Sequence, residues 1–272
     1  MFVGDYMEDF KFKKKFGQNF LKDINIVKKI VRCADISDNS LTIEVGPGAG
    51  IMTKELASVS NNVIAYEIDN ELKDKLNNNL DEFSNINILF KDFLDSNIKK
   101  DISNYSYDNL YFVSNVPYYI TTPIILKLIE SDLHFKKIVM MVQKEVGDRF
   151  SSIPGSKQYG SISVFLNYFY EVKKEFLVSR KQFIPEPNVD SVIISFTEKD
   201  NKLELNDFNH FERIVKDSFQ FKRKTIRNNL KKYDLDLIEK VLSKYGYDLS
   251  VRAEMLSYEI FVSISNELTK KP

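Results

Sequence analysis

Four short stretches of this chain carry residue types that can do chemistry together. Glu44-Val-Gly46-Pro-Gly48-Ala-Gly50 alternates glycine with other residues, and glycine lets a backbone turn tightly and approach a ligand closely. Glu67 follows about 20 residues after Gly46, with Asp69 just beyond, the spacing at which nucleotide-binding α/β folds hold a ribose on a carboxylate. Lys91-Asp92-Phe93 adds a second carboxylate, an acceptor suited to an adenine exocyclic amine. Asn115-Val-Pro117-Tyr118 offers an amide oxygen, a proline carbonyl and an aromatic face. An exocyclic amine is a poor nucleophile because its lone pair is delocalised into the ring. A site acting on it must accept its protons without a strong base, which the Asn115 amide oxygen and the Pro117 carbonyl can do. Tyr118 supplies a face on which a base can stack, worth roughly 1–3 kcal/mol.

Other chemistries are disfavoured by what the chain lacks. A dinucleotide fingerprint would need glycine where Ile51 stands, and no glycine-rich stretch ends in Gly-Lys-Ser/Thr, which argues against a dehydrogenase and an NTPase. The only histidines, His134 and His210, have no motif around them, so a catalytic triad is improbable and no metal site is expected. The single cysteine cannot form an internal disulfide, which points to a reducing, cytoplasmic setting. The first 20 residues mix charges and aromatics without the apolar core of a secretory signal, and no apolar run is long enough to span a bilayer.

The elements that must position these residues follow from hydrophobic rhythm. Strands are expected at Leu41–Val45, Asn62–Ile68, Ile86–Phe90, Leu110–Ser114 and Lys137–Val142, with helices at Ile51–Ala57, Asn70–Phe83 and Pro123–Ser131 between them. This is the alternation of an α/β domain with a mostly parallel sheet covered on both faces. Each of the four chemical stretches falls at the carboxyl end of a strand, where open α/β sheets bind ligands. Ile162–Tyr170, Lys174–Val178 and Ser191–Phe196 read as further strands, antiparallel at one edge. Beyond residue 197 the apolar spacing becomes helical, at Asn206–Phe219, Leu235–Tyr245 and Ser257–Thr269. The expected division is an α/β domain over residues 1–200 and a small helical domain over 201–272.

Overall charge is balanced, with 39 lysines and arginines against 39 aspartates and glutamates. Two clusters break the balance locally. Lys11, Lys13, Lys14 and Lys15 form one, and Lys222, Arg223, Lys224, Arg227, Lys231 and Lys232 form another without an intervening acid. Either could face phosphate.

Taken together, the four stretches resemble S-adenosylmethionine-dependent methyltransferases that modify an adenine amine. Further motifs narrow the resemblance to the ribosomal RNA adenine dimethyltransferases. Phe16-Gly-Gln-Asn19-Phe-Leu21 is similar to the family's entrance motif, and Phe183-Ile-Pro-Glu-Pro-Asn-Val-Asp-Ser191 to its F-x-P-x-P-x-V-D-S segment. Gln143–Arg149, Phe219–Leu230 and Arg252–Ser257 resemble the KsgA branch, which acts on two adjacent adenosines of small-subunit rRNA. The Erm branch, acting on one adenosine of large-subunit rRNA, is the alternative within the family. The match spans nearly the whole chain, although the first eleven residues show no family motif.

The resemblance implies a Rossmann-like class I methyltransferase domain with a small C-terminal α-helical domain, and S-adenosyl-L-methionine as cofactor. The cofactor would lie across Gly46, Gly48 and Gly50, with its ribose on Glu67, its adenine at Asp92, and Asn19, Leu21 and Asn115 also in contact. Asn115, Pro117 and Tyr118 would hold the target amine, and Tyr118 and Phe183 would sandwich the flipped base. Lys222, Arg223, Lys224 and Arg227 would bind RNA. The implied partner is small-subunit rRNA within an assembling small ribosomal subunit, met by a cytoplasmic monomer that needs neither membrane nor metal. Two other readings are an assembly factor whose binding role outweighs catalysis, and a DNA adenine methyltransferase, which would leave the C-terminal resemblances unexplained.

Overall fold

The structure is a computed structural model that describes residues 20–270. Calls on Asn19 and on the lysines at positions 11, 13, 14 and 15 lie outside the described residues. Among the described residues two compact units are present: residues 20–147 with Lys173–Glu198, and residues 148–172 with 199–270.

The first unit is built on a seven-stranded sheet. Its strands are β2 (Ser40–Val45), β3 (Asn62–Glu67), β4 (Ile86–Phe90), β5 (Asn109–Asn115), β6 (Phe135–Gln143), β7 (Tyr170–Val178) and β9 (Ser191–Glu198), in the order β4-β3-β2-β5-β6-β9-β7. The pairings from β4 through β6 are parallel, and β9 runs antiparallel to β6. A two-stranded ribbon pairs β1 (Phe20–Leu21) with β8 (Phe183–Ile184). Helices α1 (Ile24–Ala34), α2 (Ile51–Ala57), α3 (Lys73–Leu80), α4 (Ile98–Ile102) and α5 (Thr121–Glu130) connect the strands, and α6 (Lys144–Phe150) follows β6. Parallel strands buried on both faces need uninterrupted apolar or satisfied side chains. All six residues of β2 are buried; its Thr42 hydroxyl is satisfied by Ser60 Oγ at 2.7 Å, whereas Ser40 Oγ and the Glu44 carboxyl oxygens have no hydrogen-bond partner among the described residues.

From β2 the chain winds outward through β3 to β4, then crosses back to β5 on the other side of β2. That reversal opens a crevice between the carboxyl ends of β2 and β5, the place where such sheets bind ligands. Ser114 Oγ donates to the Val45 carbonyl at 2.6 Å and ties the two strand ends together.

The second unit packs α7 (Ser161–Phe169), α8 (Phe208–Ser218), α9 (Ile226–Asn229), α10 (Leu235–Lys244) and α11 (Tyr258–Leu268) around a core that includes Phe165, Tyr168, Phe211, Ile238, Leu242 and Phe261. Asp207 and Asp234 cap α8 and α10 by accepting from backbone N–H groups in the first turn. Here the structure corrects the strand expected at Ile162–Tyr170: most of it is helix α7. The alternation of Ile162, Val164 and Leu166 imitates a strand, but this helix is buried broadly around its circumference. Its polar members are satisfied internally, Ser163 Oγ donating to the Arg149 carbonyl at 2.8 Å and Asn167 Nδ2 to the Ser163 carbonyl at 2.7 Å. Residues 148–172, expected with the sheet, therefore group with the C-terminal helices. No helix among the described residues is long and apolar enough to cross a membrane.

Candidate functional site

A cavity lies at the crevice, entirely within the first unit. Its lining brings together Glu44 to Ala49, Glu67, Lys91 to Leu94 and Asn115 to Ile120, with Leu21 and Tyr66 among the other contributors. Gly46, Gly48, Glu67, Asp92, Asn115, Pro117, Tyr118 and Leu21, singled out from the sequence, thus share one cavity. Gly50 adjoins this loop as the residue preceding α2 and is not part of the lining.

The glycine loop is shaped by backbone conformations that other residues rarely adopt. Gly46, Gly48 and Gly50 all have positive φ, at 73°, 59° and 81°. A Cβ built on Gly50 would also sit 3.1 Å from Leu80 Cδ2, so the α3 side chain would have to shift by a few tenths of an ångström to admit it. Gly46 faces the β5 tetrapeptide: a Cβ there would meet Pro117 Cδ at 3.8 Å, which places the glycine loop against the proline across the crevice. The Gly46 N–H donates to the Tyr66 carbonyl at 2.9 Å, and Asn79 Nδ2 donates to the Ala49 carbonyl at 3.0 Å, fixing the loop from both sides.

Glu67 ends β3 and is 4% exposed. Its Oε1 accepts from the Asp69 N–H at 2.8 Å and its Oε2 from the Gly48 N–H at 3.3 Å, so the carboxylate bridges the glycine loop and the β3 terminus. Burial raises its pKa, and these backbone donors partly offset that. Each oxygen keeps acceptor capacity for a ligand hydroxyl. Asp92 sits in a tight turn, its Oδ1 accepting from Leu94 N–H at 2.8 Å and its carbonyl from Ser96 Oγ at 2.6 Å.

Asn115 closes β5 and lines the cavity. The Pro117 carbonyl already accepts from the Ile120 N–H at 3.1 Å, which orients it at the start of a 3-10 turn over Tyr118–Ile120, and a second lone pair remains. The Tyr118 hydroxyl and Ser191 Oγ are 2.7 Å apart. Burial pushes the Tyr118 phenol above its ordinary range, while the Ser191 bond pulls the other way. Tyr119, 58% exposed, adds a second ring to the cavity rim.

Phe183 differs from the sequence expectation. Its ring is 1% exposed and packs in the cluster containing Leu21, Ile30, Val113 and Val178, and β8 pairs Phe183 with Leu21. It is absent from the cavity lining. In this arrangement Phe183 offers no face to a base; it anchors Leu21, which does line the cavity. The proline-rich segment that follows it masked this role, because apolar residues ahead of such a turn serve either purpose.

Two functional features escaped the sequence reading. Glu44, read only as the first letter of the glycine motif, is 1% exposed, lines the cavity and finds no hydrogen-bond partner for either carboxyl oxygen among the described residues. Burial pushes it up to about 8, against the nearby Thr53 hydroxyl, which lowers it, and with a smaller upward push from the neighbouring Glu67 charge. The carboxyl is therefore largely neutral at pH 7. Lys127 is the second: it is the lone cation within the apolar α5 and donates from Nζ to the carbonyls of Leu94 and Ser96, both at 2.7 Å, clasping the Asp92 turn. A single lysine in an otherwise apolar run was the available signal. No group of three or more His, Cys, Asp or Glu side chains among the described residues is placed to hold a metal ion.

In the second unit, Lys222, Arg223, Lys224 and Arg227 are all exposed. Lys232 is engaged elsewhere, in an ion pair with Asp217 at 2.9 Å.

Comparison with known proteins places this geometry. The ribosomal RNA adenine dimethylase family matches residues 9–270. The chain is 41% identical over 268 residues to the Ribosomal RNA small subunit methyltransferase A of Bacillus mycoides (strain KBAB4), and 40% identical over 269 residues to the protein of that name from Bacillus cereus (strain B4264). Each alignment spans 95% of this chain and 92% of the relative. Among solved structures it is similar to a dimethyladenosine transferase from Plasmodium falciparum, at 25% identity and a TM-score of 0.76 over 90% of this chain and 95% of that one. It is also similar to the 23S rRNA methyltransferase ErmE, at 25% identity and a TM-score of 0.73 over 92% of this chain and all of the other. The first unit accordingly has the Rossmann-like class I methyltransferase fold expected from the strand rhythm. With the family's match running through both units, the chain belongs to the ribosomal RNA adenine dimethylase family, a family of rRNA methyltransferases.

Proposed function

We propose that this protein uses S-adenosyl-L-methionine to dimethylate the N6 amines of two adjacent adenosines in small-subunit (16S) rRNA, acting as a cytoplasmic monomer on an assembling small ribosomal subunit. The observation that carries the reading is the convergence of Gly46, Gly48, Glu67, Asp92 and Asn115–Tyr118 on one crevice at the ends of adjacent parallel strands. The small-subunit assignment is supported by the names of the relatives at about 40% identity.

The residues present fit such a cofactor. The buried Glu44 carboxyl, without a hydrogen-bond partner among the described residues, would be drawn toward its ionised form by a cationic ligand, Glu67 retains acceptor capacity for ribose hydroxyls, and Asp92 offers an acceptor to an adenine amine. Asn19, Leu21, Gly46, Gly48, Gly50 and Asn115 complete the proposed cofactor contacts. When bound, S-adenosylmethionine supplies an electrophilic methyl group on a positively charged sulfur. The protein's task is then positioning and fixed dipoles. Asn115 Oδ1 and the Pro117 carbonyl accept the hydrogens of the target amine and aim its lone pair, and Tyr118 stacks on the base. With such a donor bound, the target nitrogen would take the methyl group as the donor's carbon–sulfur bond broke, and the amine held by Asn115 and Pro117 would give its proton to solvent. For the second transfer the monomethylated amine must be presented again by the same acceptors. Lys222, Arg223, Lys224 and Arg227 hold rRNA phosphates, so binding weakens steeply with salt.

Incubation with labelled S-adenosylmethionine and small subunits lacking the modification, with large subunits and DNA as controls, tests this directly. Two adjacent N6,N6-dimethyladenosines in small-subunit rRNA are expected. Label in large-subunit rRNA or DNA instead would overturn the assignment.

A further inference from the structure

We propose that the turn between α8 and α9 is a preformed RNA-docking loop, in which the exposed ring of Phe221 stacks on an unpaired base while Lys222, Arg223 and Lys224 take the adjoining phosphates. The proposal rests on rRNA being the substrate and adds a base-stacking contact within the second unit, remote in sequence from the tetrapeptide of β5.

The first observation is how firmly the loop is built. Asn229, on α9, is 7% exposed, and its side chain turns back into the loop. Its Oδ1 accepts from the Phe221 N–H at 3.3 Å, and its Nδ2 donates to the Ser218 carbonyl at 2.7 Å and the Phe221 carbonyl at 3.3 Å. The Lys224 N–H closes a turn onto the Phe221 carbonyl at 2.9 Å. One buried amide therefore fixes the path from residue 218 to 224, so the loop loses little conformational freedom when it binds.

The second observation is what the fixed loop displays. Phe219 turns inward, with its ring 6.2 Å from Tyr159 and 5.9 Å from Phe261. Phe221, two residues on, is 57% exposed, and no ring contact is found for it among the described residues. Asn229 fixes the Phe221 backbone, so the exposed ring is carried on a rigid turn.

Charge identifies the occupant. From residue 218 to residue 233 the chain contains no acid. Asp217, immediately before, accepts from the Tyr233 hydroxyl and pairs with Lys232. Lys222 Nζ reaches the Lys157 carbonyl at 3.3 Å, which brings another exposed lysine beside the loop. An aromatic face ringed by cations matches a single-stranded polyanion whose bases have π-faces. A lone ring on a short turn gives a membrane little apolar area to hold.

Stacking and phosphate contact respond differently to salt. Dissociation constants for small ribosomal subunits, measured at several salt concentrations, separate them. Phe221→Ala is expected to weaken binding roughly 5- to 100-fold at every salt concentration with the slope of log Kd against log salt unchanged, and Phe221→Trp to restore it. Lys224→Ala is expected to weaken binding and reduce the slope by about one. Thermal melting of the Phe221 variants should match the parent, because the ring is outside the core. Equal affinity of Phe221→Ala and the parent, with the parent binding normally, would overturn the platform while leaving the substrate reading intact. Failure of the parent to bind small subunits would overturn both. Loss of binding by Phe221→Ala to phosphatidylserine vesicles, with subunit binding retained, would reassign the ring to lipid.

Discussion

The phenolic oxygen of Tyr118 lies 2.7 Å from Oγ of Ser191, joining the β5 tetrapeptide to the first residue of β9. Ser191 is fully buried, and its part-buried bond to the phenol fixes the tilt of the tyrosine ring. Ser191→Ala removes the partner and leaves a half-buried phenol unsatisfied, at a cost of about 1 kcal/mol. The expected result is a several-fold fall in single-turnover methyl transfer with cofactor affinity unchanged. Tyr118→Phe should behave alike, and Tyr118→Ala should lose far more. A Ser191→Ala enzyme with parental rate would show that ring tilt is irrelevant.

Asn115 is assigned the amine, and its removal tests the assignment directly. Asn115→Ala should abolish methyl transfer while the cofactor dissociation constant stays within a few-fold, because the glycine loop, Glu67 and Asp92 are untouched. Calorimetric titration paired with a transfer assay measures both. Retained turnover would exclude Asn115 as the acceptor for the amine hydrogens.

Glu44 makes stability depend on pH in an uncommon direction. In the unfolded chain this carboxyl titrates near 4.5, and in the fold it is pushed up to about 8 by burial, with Glu67 adding to the shift. Between those values the native chain holds a proton that the unfolded chain has released, so stability falls as pH rises, by about 5 kcal/mol at most. Glu44→Gln is fixed in the neutral form and lacks this fall. Urea unfolding at pH 5.5, 7 and 8.5 should show the parent losing stability relative to Glu44→Gln. A cationic cofactor favours the ionised carboxylate, so S-adenosylmethionine affinity should rise with pH over the same window in the parent alone. Parallel pH profiles for the two proteins would contradict the assignment.

Where chemistry and periodicity coincide, the sequence was legible. Gly46, Glu67, Asp92 and Asn115 each terminate a β-rich run, and a parallel sheet must bring such termini to one edge, so the cavity follows from local pattern plus topology. Where the same pattern serves two structures, it was not. Ile162, Val164 and Leu166 alternate as a strand would, yet tertiary burial of the surrounding aromatics selects helix α7. Phe183 is apolar beside a motif, and apolarity alone does not distinguish a stacking ring from a core ring. Ser191, Lys127 and Asn229 act through hydrogen bonds to residues 73, 31 to 33 and 5 to 11 positions away, respectively, and such partners have no local signature.

Lys127 gives the sharpest test of such a distant partner. Its ammonium donates to the carbonyls of Leu94 and Ser96 and lies 5.8 Å from the centre of the Phe93 ring, so one cation on α5 holds the turn that presents Asp92. Lys127→Met keeps the apolar stem and removes both charge-assisted bonds, each of a kind worth roughly 1.5–3 kcal/mol. The turn loosens, and the cost falls on the end of the site assigned to the cofactor's adenine. The expected signature is a rise of about tenfold or more in cofactor KM, with a much smaller fall in kcat at saturating cofactor. Asp92→Asn keeps the turn's acceptor while removing the charge, so it should affect KM in the same sense. Combining the two should cost less than the sum, because both act on one subsite. Fully additive losses would show that Lys127 supports the fold without positioning Asp92.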